Sequence, residues 1–392
     1  MKLAKLSLAA IVVAGLATSS FAADTLADAF KAGKVSGALQ GYYWTRDNGT
    51  TDADIFTSGL DLSYETGKFY GFGFKATFQG TASPFADNDG KTMFAGDEYG
   101  SGAQLSEAYI SYSMKNTTAL VGRMYLDTPL VASSGSRVTK QAFEGAAIIN
   151  TDVPNTTLIA GYVQKYQPRT NYTDNGATPP VVLTSGKIGE FNKIGDDGAY
   201  TLAAINKSIA GLTLTAAYAD VIDVVQVMYA EAAYEGKASG FTYGLAAQYY
   251  NADVDGAAGY ESDLFGIKAT LGVADFTFTA AYTKADDEGY VIPGLGGGAD
   301  LAYTGSPLNS DSYVADTEAY KIGASYAIMK NANLGVSYTV NEFFTTENSF
   351  IALEADYAFE GALKGLSAAF TYEDQGKDAN GNEMRLNLNY KF

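Results

Sequence analysis

From residue 385 to the last residue the chain alternates. Leu386, Leu388, Tyr390 and Phe392 fall on one side of a period-two pattern, and Arg385, Asn387, Asn389 and Lys391 fall on the other. Successive side chains of a β-strand point to opposite faces, so this reads as a strand with one oily and one wet face. The pattern recurs through the chain. Over 69–81, Tyr70, Phe72, Phe74, Ala76 and Phe78 share a face opposite Lys75, Thr77 and Gln79. Eighteen such segments can be traced from Val35 to Phe392, or sixteen if one pair is loop. Most have the about 9–11 residues that a tilted strand needs to cross a bilayer. The connections are sorted by parity. Those after even segments are short (67–68, 115–118, 208–211, 272–275), and the long ones (82–103, 127–141, 167–198, 286–316) follow odd segments, with 220–224 a short exception. A soluble sandwich has no reason to sort its loops this way.

The amino terminus points to export. Lys2 and Lys5 precede an apolar run, Leu6 to Leu16, and Ser20-Phe21-Ala22 fits a small-x-small cleavage site. Residues 1–22 are therefore expected to be a signal peptide, 23–33 a short lead-in, and 34–392 the folded domain. No later apolar run reaches the length of a helical span. Only helices and closed barrels satisfy their backbone in lipid, so an integral mature chain must be a barrel. The chain has no cysteine and no histidine, which excludes thiol chemistry, disulfides and histidine-dependent catalysis. The net charge of -18 becomes -20 without the leader's two lysines. Such a chain repels nucleic acid and, as a pore, favours cations at its mouths. Tyrosines on apolar faces near the ends of even segments (Tyr64, Tyr112, Tyr234, Tyr326, Tyr357) suit an interfacial girdle.

The faces assigned to the interior carry Asp61, Glu65, Glu107, Glu144, Glu231, Glu354 and Asp356. They also carry Lys75, Arg123, Lys165, Lys268, Lys321, Arg385 and Lys391. Ions in a dry core cost several kcal/mol each unless paired, so this many implies water. An eighteen-strand barrel is wide enough to hold a channel. One connection is distinctive: Gly122-Arg123, then Asp127-Thr128-Pro129-Leu130-Val131, then Ser133-Ser134-Gly135-Ser136-Arg137, then Phe143-Glu144-Gly145. With Leu105-Ser106-Glu107-Ala108-Tyr109 and the closing Tyr390-Lys391-Phe392, it resembles the third loop and ends of OprD-like outer-membrane porins, most of all the major porins of the Campylobacter type. The resemblance implies an all-β, 18-stranded antiparallel transmembrane barrel, often trimeric, with an inward-folded third loop. It implies a constriction of Arg123, Arg137 and Lys140 facing Glu107 and Glu144, lined by Ser133, Ser134 and Ser136. Where relatives carry proline after the loop arginine, this chain has Val138-Thr139-Lys140. Tyr390 and Phe392 would be the assembly signal read by the barrel-assembly machinery.

The expected function is passive diffusion of ions and small hydrophilic solutes across the outer membrane, with a cation bias. A substrate-selective channel for small carboxylates is the nearer alternative. An adhesin or structural barrel, with partners on the long loops 167–198 and 286–316, is a different class. An enzyme would have to rely on carboxylate pairs such as Asp61 with Glu65, or Glu354 with Asp356. Same-face lumen charges are the simpler reading of both pairs. The expected surroundings are outer-membrane lipid, small solutes and two further copies of the chain. No cofactor is expected; Asp87 and Asp89 read first as ordinary solvated acids, with a structural Ca²⁺ there as the weaker alternative. Those acids are closely spaced, but no full calcium loop surrounds them.

Overall fold

The computed structural model describes residues 23–174, 182–256, 259–309 and 312–392. The expected signal peptide, 1–22, lies outside them, as do parts of the connections at 167–198 and 286–316. Eighteen long antiparallel strands form one closed sheet. They are β1 (Lys34–Asp47), β2 (Asp52–Glu65), β3 (Phe72–Ala82), β4 (Gly102–Met114), β5 (Thr117–Met124), β6 (Ala142–Asn150), β7 (Thr156–Gln167), β8 (Ala199–Asn206) and β9 (Leu212–Val221). Then come β10 (Val225–Ala238), β11 (Phe241–Val254), β12 (Tyr260–Val273), β13 (Phe276–Ala285), β14 (Glu318–Met329), β15 (Ala332–Phe343), β16 (Thr346–Ala358), β17 (Leu366–Lys377) and β18 (Gly381–Lys391). Two residues, Asn192–Lys193, extend the sheet beside β7, and a small hairpin (Thr170–Asp174 with Val182–Ile188) stands apart from it.

Closure is made by the two ends of the chain. β1 pairs with β18 from Ala38 opposite Lys391 to Asp47 opposite Asn382. The last residue completes the seam. Gly37 N donates to Phe392 O at 3.0 Å, and Phe392 N donates to Gly37 O at 3.1 Å. A closed barrel leaves no strand edge unsatisfied, which is what lipid demands. The lead-in forms a short helix, α1 (Leu26–Lys31), capped by Thr25 Oγ1, which accepts from Asp28 N. It docks on the β2–β3 turn through Gly67 N donating to Ala29 O.

The two faces obey different solvents. Outward positions are exposed and apolar, such as Leu39, Leu60, Leu62, Phe74, Ile322 and Leu353. At the short-turn end their aromatics meet in rows: Phe72 with Tyr112, Phe276 with Tyr326, Tyr357 with Phe359, Tyr390 with Phe392. Rings with one apolar and one wet side suit that depth. The inner face is split. Along β5–β12 it is mostly apolar (Leu120, Met124, Phe143, Ile149, Ile159, Val163, Leu264), with Glu231 and Lys268 as charged exceptions, and covered by loops folded into the barrel. Along β1–β4 and β14–β18 it carries the charges.

Candidate functional site: a lumen narrowed by loops

Loop 3 (125–141) leaves β5 and turns at once: Val131 N donates to Thr128 Oγ1 at 3.0 Å. Ser133 Oγ accepts from Leu126 N and braces the neck. The tip, Gly135 and Ser136, is exposed, whereas Ser134 and the Arg137–Thr139 stretch are buried. Val138 sits on Gly59 of β2, where a Cβ would come within 2.2 Å of Val138 Cγ1, so that wall position has to be bare. Gln79 of β3 holds Lys140 by its backbone, accepting from Lys140 N at 2.7 Å and donating to Lys140 O at 2.8 Å. Loop 3 therefore crosses from β5–β6 to the inner wall of β1–β3.

Arg137 lands in a cluster built around the sole tryptophan. Trp44, fully buried on β1, has Arg137, Arg385 and Arg46 at 4.3, 4.2 and 4.8 Å from its ring, with Phe94 of loop 2 (83–101) at 4.7 Å. The electron-rich indole face accepts guanidinium groups in this way. Carboxylates hold the cations in place. Glu383 takes Arg46 at 2.9 Å and also pairs with Arg385. Asp97 takes Arg169 at 2.6 Å and Arg137 at 3.4 Å. Burial would raise Asp97, but Arg137, Arg169, Arg385 and Arg46 outweigh it and hold its carboxyl below the usual range. Glu98 beside it is pushed by burial up to about 7, with Arg137 only partly opposing. Arg169, from loop 4 (168–198), clasps the tip by donating to Ser134 and Ser136.

A second group lies two strands away, on β3 and β4. Lys75 pairs with Glu107 at 2.7 Å, and Thr77 donates to the same carboxylate. Lys140 Nζ stands 4.3 Å above the Tyr125 ring, its pKa lowered by burial although Glu107, Asp127 and Asp61 oppose this. Asp61 shares this neighbourhood on the inner face of β2, and Glu65 lies opposite Lys75 at the short-turn end.

Loop 7 (286–317) is the element that the sequence reading missed. It enters the barrel rather than standing free. Leu295 N donates to Leu130 O at 2.8 Å, Ala132 N donates to Leu295 O at 3.0 Å, and Gly297 N donates to Gln141 Oε1 at 2.8 Å. The run Gly294-Leu295-Gly296-Gly297-Gly298 allows this contact. At Gly296 (φ +85°) a Cβ would come within 2.3 Å of Ala132 O. Beyond it Tyr303 donates to Glu231 at 2.7 Å under Lys268, which lies 4.0 Å from the ring, and Lys321 donates to Gly305 O. Asn309 reaches across to Glu373 of β17. Glu354 and Asp356 stand on the inner face of β16, Asp356 accepting from Asn333.

Three expected lumen residues are not there. Register carries one face around the barrel: Tyr64, Ala76, Ala108, Arg123, Glu144 and Lys165 stand opposite one another in turn. That face includes lipid-facing Val121 and Ile148, and the reverse face carries buried Met124, Phe143 and Val163. Arg123, Glu144 and Lys165 therefore form an ion triad on the outside of the wall (2.9 and 2.5 Å), not part of the constriction. A bulge, with Gly145 opposite Val163 but Glu144 opposite Lys165, turns Lys165 outward. Asp87 has a structural part in loop 2. It caps the short helix α2 (Asn88–Met93), accepting from Gly90 N at 2.8 Å, and no group of three metal-ligating side chains occurs among the described residues. Trp44, Arg46, Asp97, Glu98, Arg169 and Glu383 were not anticipated. A lone tryptophan between Tyr42 and Arg46 on an inward face was the signal available for them.

The model of the OprD family of outer-membrane porins matches residues 82–319. Comparison with curated protein sequences finds no match. Among solved structures the chain is similar to Acinetobacter baumannii OccAB1 (TM-score 0.78, 16% identity, 92% of this chain and 96% of that one). It is also similar to Pseudomonas aeruginosa OpdK with vanillate (0.75, 16%, 93% and 99%) and Pseudomonas aeruginosa OccK8 (0.76, 15%, 93% and 99%).

Proposed function

The chain belongs to the OprD family of outer-membrane porins, channels for small solutes, and from that premise we propose that it is a cation-biased diffusion pore whose eyelet is set by loop 3. The observation that carries this reading is the course of loop 3. Its tip is exposed to the lumen while its basic stretch is pinned to the wall at Trp44, Gln79 and Asp97. Loop 7 backs it from the other side. Such a loop sieves by width, while fixed wall charges bias the ions that enter. The excess of carboxylates in a chain of net charge -18 favours cations. No residue is asked to perform chemistry.

The test is a planar bilayer with a salt gradient. Arg137→Ala with Lys140→Ala is expected to raise unit conductance by roughly half or more and to move the reversal potential further toward cations, because two fixed cations leave the eyelet. Unchanged values would remove Arg137 and Lys140 from the constriction. A homotrimer would insert in conductance steps of three. A second reading, selectivity for small carboxylates, is favoured by Arg46, which keeps 28% of its side chain exposed beside Arg385 and Arg137. The similar OpdK was solved with vanillate, itself a carboxylate. Concentration-dependent block by vanillate, lost in Arg46→Gln, would support this second reading over simple diffusion.

A further inference from the structure

The triad displaced from the lumen has surroundings of its own. Arg123, Glu144 and Lys165 stand at the loop-3 end of β5, β6 and β7, on the outer face. Lys193 continues the row, opposite Lys165 and exposed, while its neighbour Ile194 points into the core. Three cations stand around the one carboxylate that pairs with them, Glu144, while exposed Asp197 approaches the same face, its backbone O accepting from Tyr162 OH. Glu144 sits between Arg123 and Lys165 and orients both, and the Phe191 ring lies 4.3 Å over the Arg123 guanidinium. Directly below, toward the membrane centre, the wall is concave. Two adjoining depressions of about 500 and 730 Å³ share Ile148, Ala160 and Leu202. The nearer one also includes Val121 and Ala146, two residues down the strands from Arg123 and Glu144. Alanines stand here where other outward positions carry Leu, Phe or Ile, and that is what hollows the surface.

We propose that this face is a seat for one phosphate-bearing, acylated lipid of the outer leaflet, the phosphate against Arg123, Lys165 and Lys193 and an acyl chain in the alanine-lined groove. The long-loop end faces outward in such barrels, so the cations lie at the headgroup layer of that leaflet and the groove at the depth of its chains. A cation near an anionic membrane surface gains affinity, and a groove filled by a chain removes apolar surface that would otherwise pack poorly. Solutes in the pore cannot reach the site, because the barrel wall separates them. The inference therefore stands apart from what the pore conducts.

The test uses the full-length protein in nanodiscs of phosphatidylcholine doped with bisphosphorylated lipid A or with its dephosphorylated form. Lipid retained after detergent extraction is counted by native mass spectrometry. Wild type is expected to keep the phosphorylated lipid roughly tenfold better than Lys165→Gln/Lys193→Gln, from the loss of two surface cations. Ala146→Phe/Ala160→Phe, which fills the groove, is expected to lose retention while leaving unit conductance unchanged. Equal retention by wild type and both variants, or of both lipid forms, would overturn the proposal. So would displacement of lipid A by millimolar inorganic phosphate, which would leave the groove without a part. The chain has no cysteine of its own. Quantitative disulfide dimerisation of Ile148→Cys would put a second copy on this face and equally overturn it.

Discussion

Glu98 is the residue most sensitive to its surroundings. It is 3% exposed, and burial pushes it up to about 7 from an ordinary 4.5, with Arg137 and the Val138 backbone N–H only partly opposing. A group whose folded pKa is raised contributes stability that is complete below its unfolded pKa and lost as pH rises through the folded value. The loop 2–loop 3 cluster should therefore be tightest near pH 4.5 and loosen up to about pH 7, by an amount on the order of a few kcal/mol. Trp44 reports on it directly, because the only tryptophan in the chain lies between Phe94 and Arg137. Tryptophan emission should show a pH step with a midpoint near 7 that disappears in Glu98→Gln. A step unchanged in that variant would assign the titration elsewhere. In Arg137→Ala the emission should shift to the red at every pH, as the indole loses its cover. At this scale the sequence was readable only in part. Glu107 and Lys75 declared themselves by parity. Arg123 and Glu144 did not, because at the rim both faces of a strand meet polar surroundings and charge no longer tells in from out.

At the scale of elements, the third and seventh loops act as a pair. The backbone of 130–132 and that of 294–298 run together inside the barrel, and the close approach leaves no room for side chains on the glycine run. Gly296→Val adds a branched side chain at φ +85°, against Ala132 O and the Phe143 ring. The substitution should cost several kcal/mol locally, from left-handed strain plus the clash. The pair should part, with larger and noisier unit conductance while the barrel itself still folds. Quiet wild-type channels from Gly296→Val would show that loop 7 does not support loop 3. The glycine run was visible in the sequence, but glycine-rich loops are as often free linkers as close-packed ones. What it packs against depends on residues more than 150 positions away. The third loop was easier to read, since its Ser, Thr and Pro content breaks the period-two pattern between two strands that keep it.

For the whole molecule, the closure seam is the point of greatest leverage. Phe392 exchanges both backbone hydrogen bonds with Gly37, and its ring lies where a side chain on Gly37 would be, 2.7 Å from that Cβ position. Deleting Tyr390–Phe392 removes these bonds and two lipid-facing aromatics. The truncated chain should fail to give the heat-modifiable, compact band of a closed barrel on electrophoresis, whereas Lys391→Gln should behave as wild type. A truncated chain that still closes would leave the seam to the remaining β1–β18 pairs. The sequence by itself determined the strands, their even number, the sorting of short and long connections and the oily outer face. Each of these is a local periodicity that solvent imposes on one strand at a time. Tertiary structure alone decided which loops enter the barrel, which carboxylate meets which arginine around Trp44, and that Arg123, Glu144 and Lys165 face the membrane. These depend on a bulge, on closure and on contacts between distant residues, and no period of two records them.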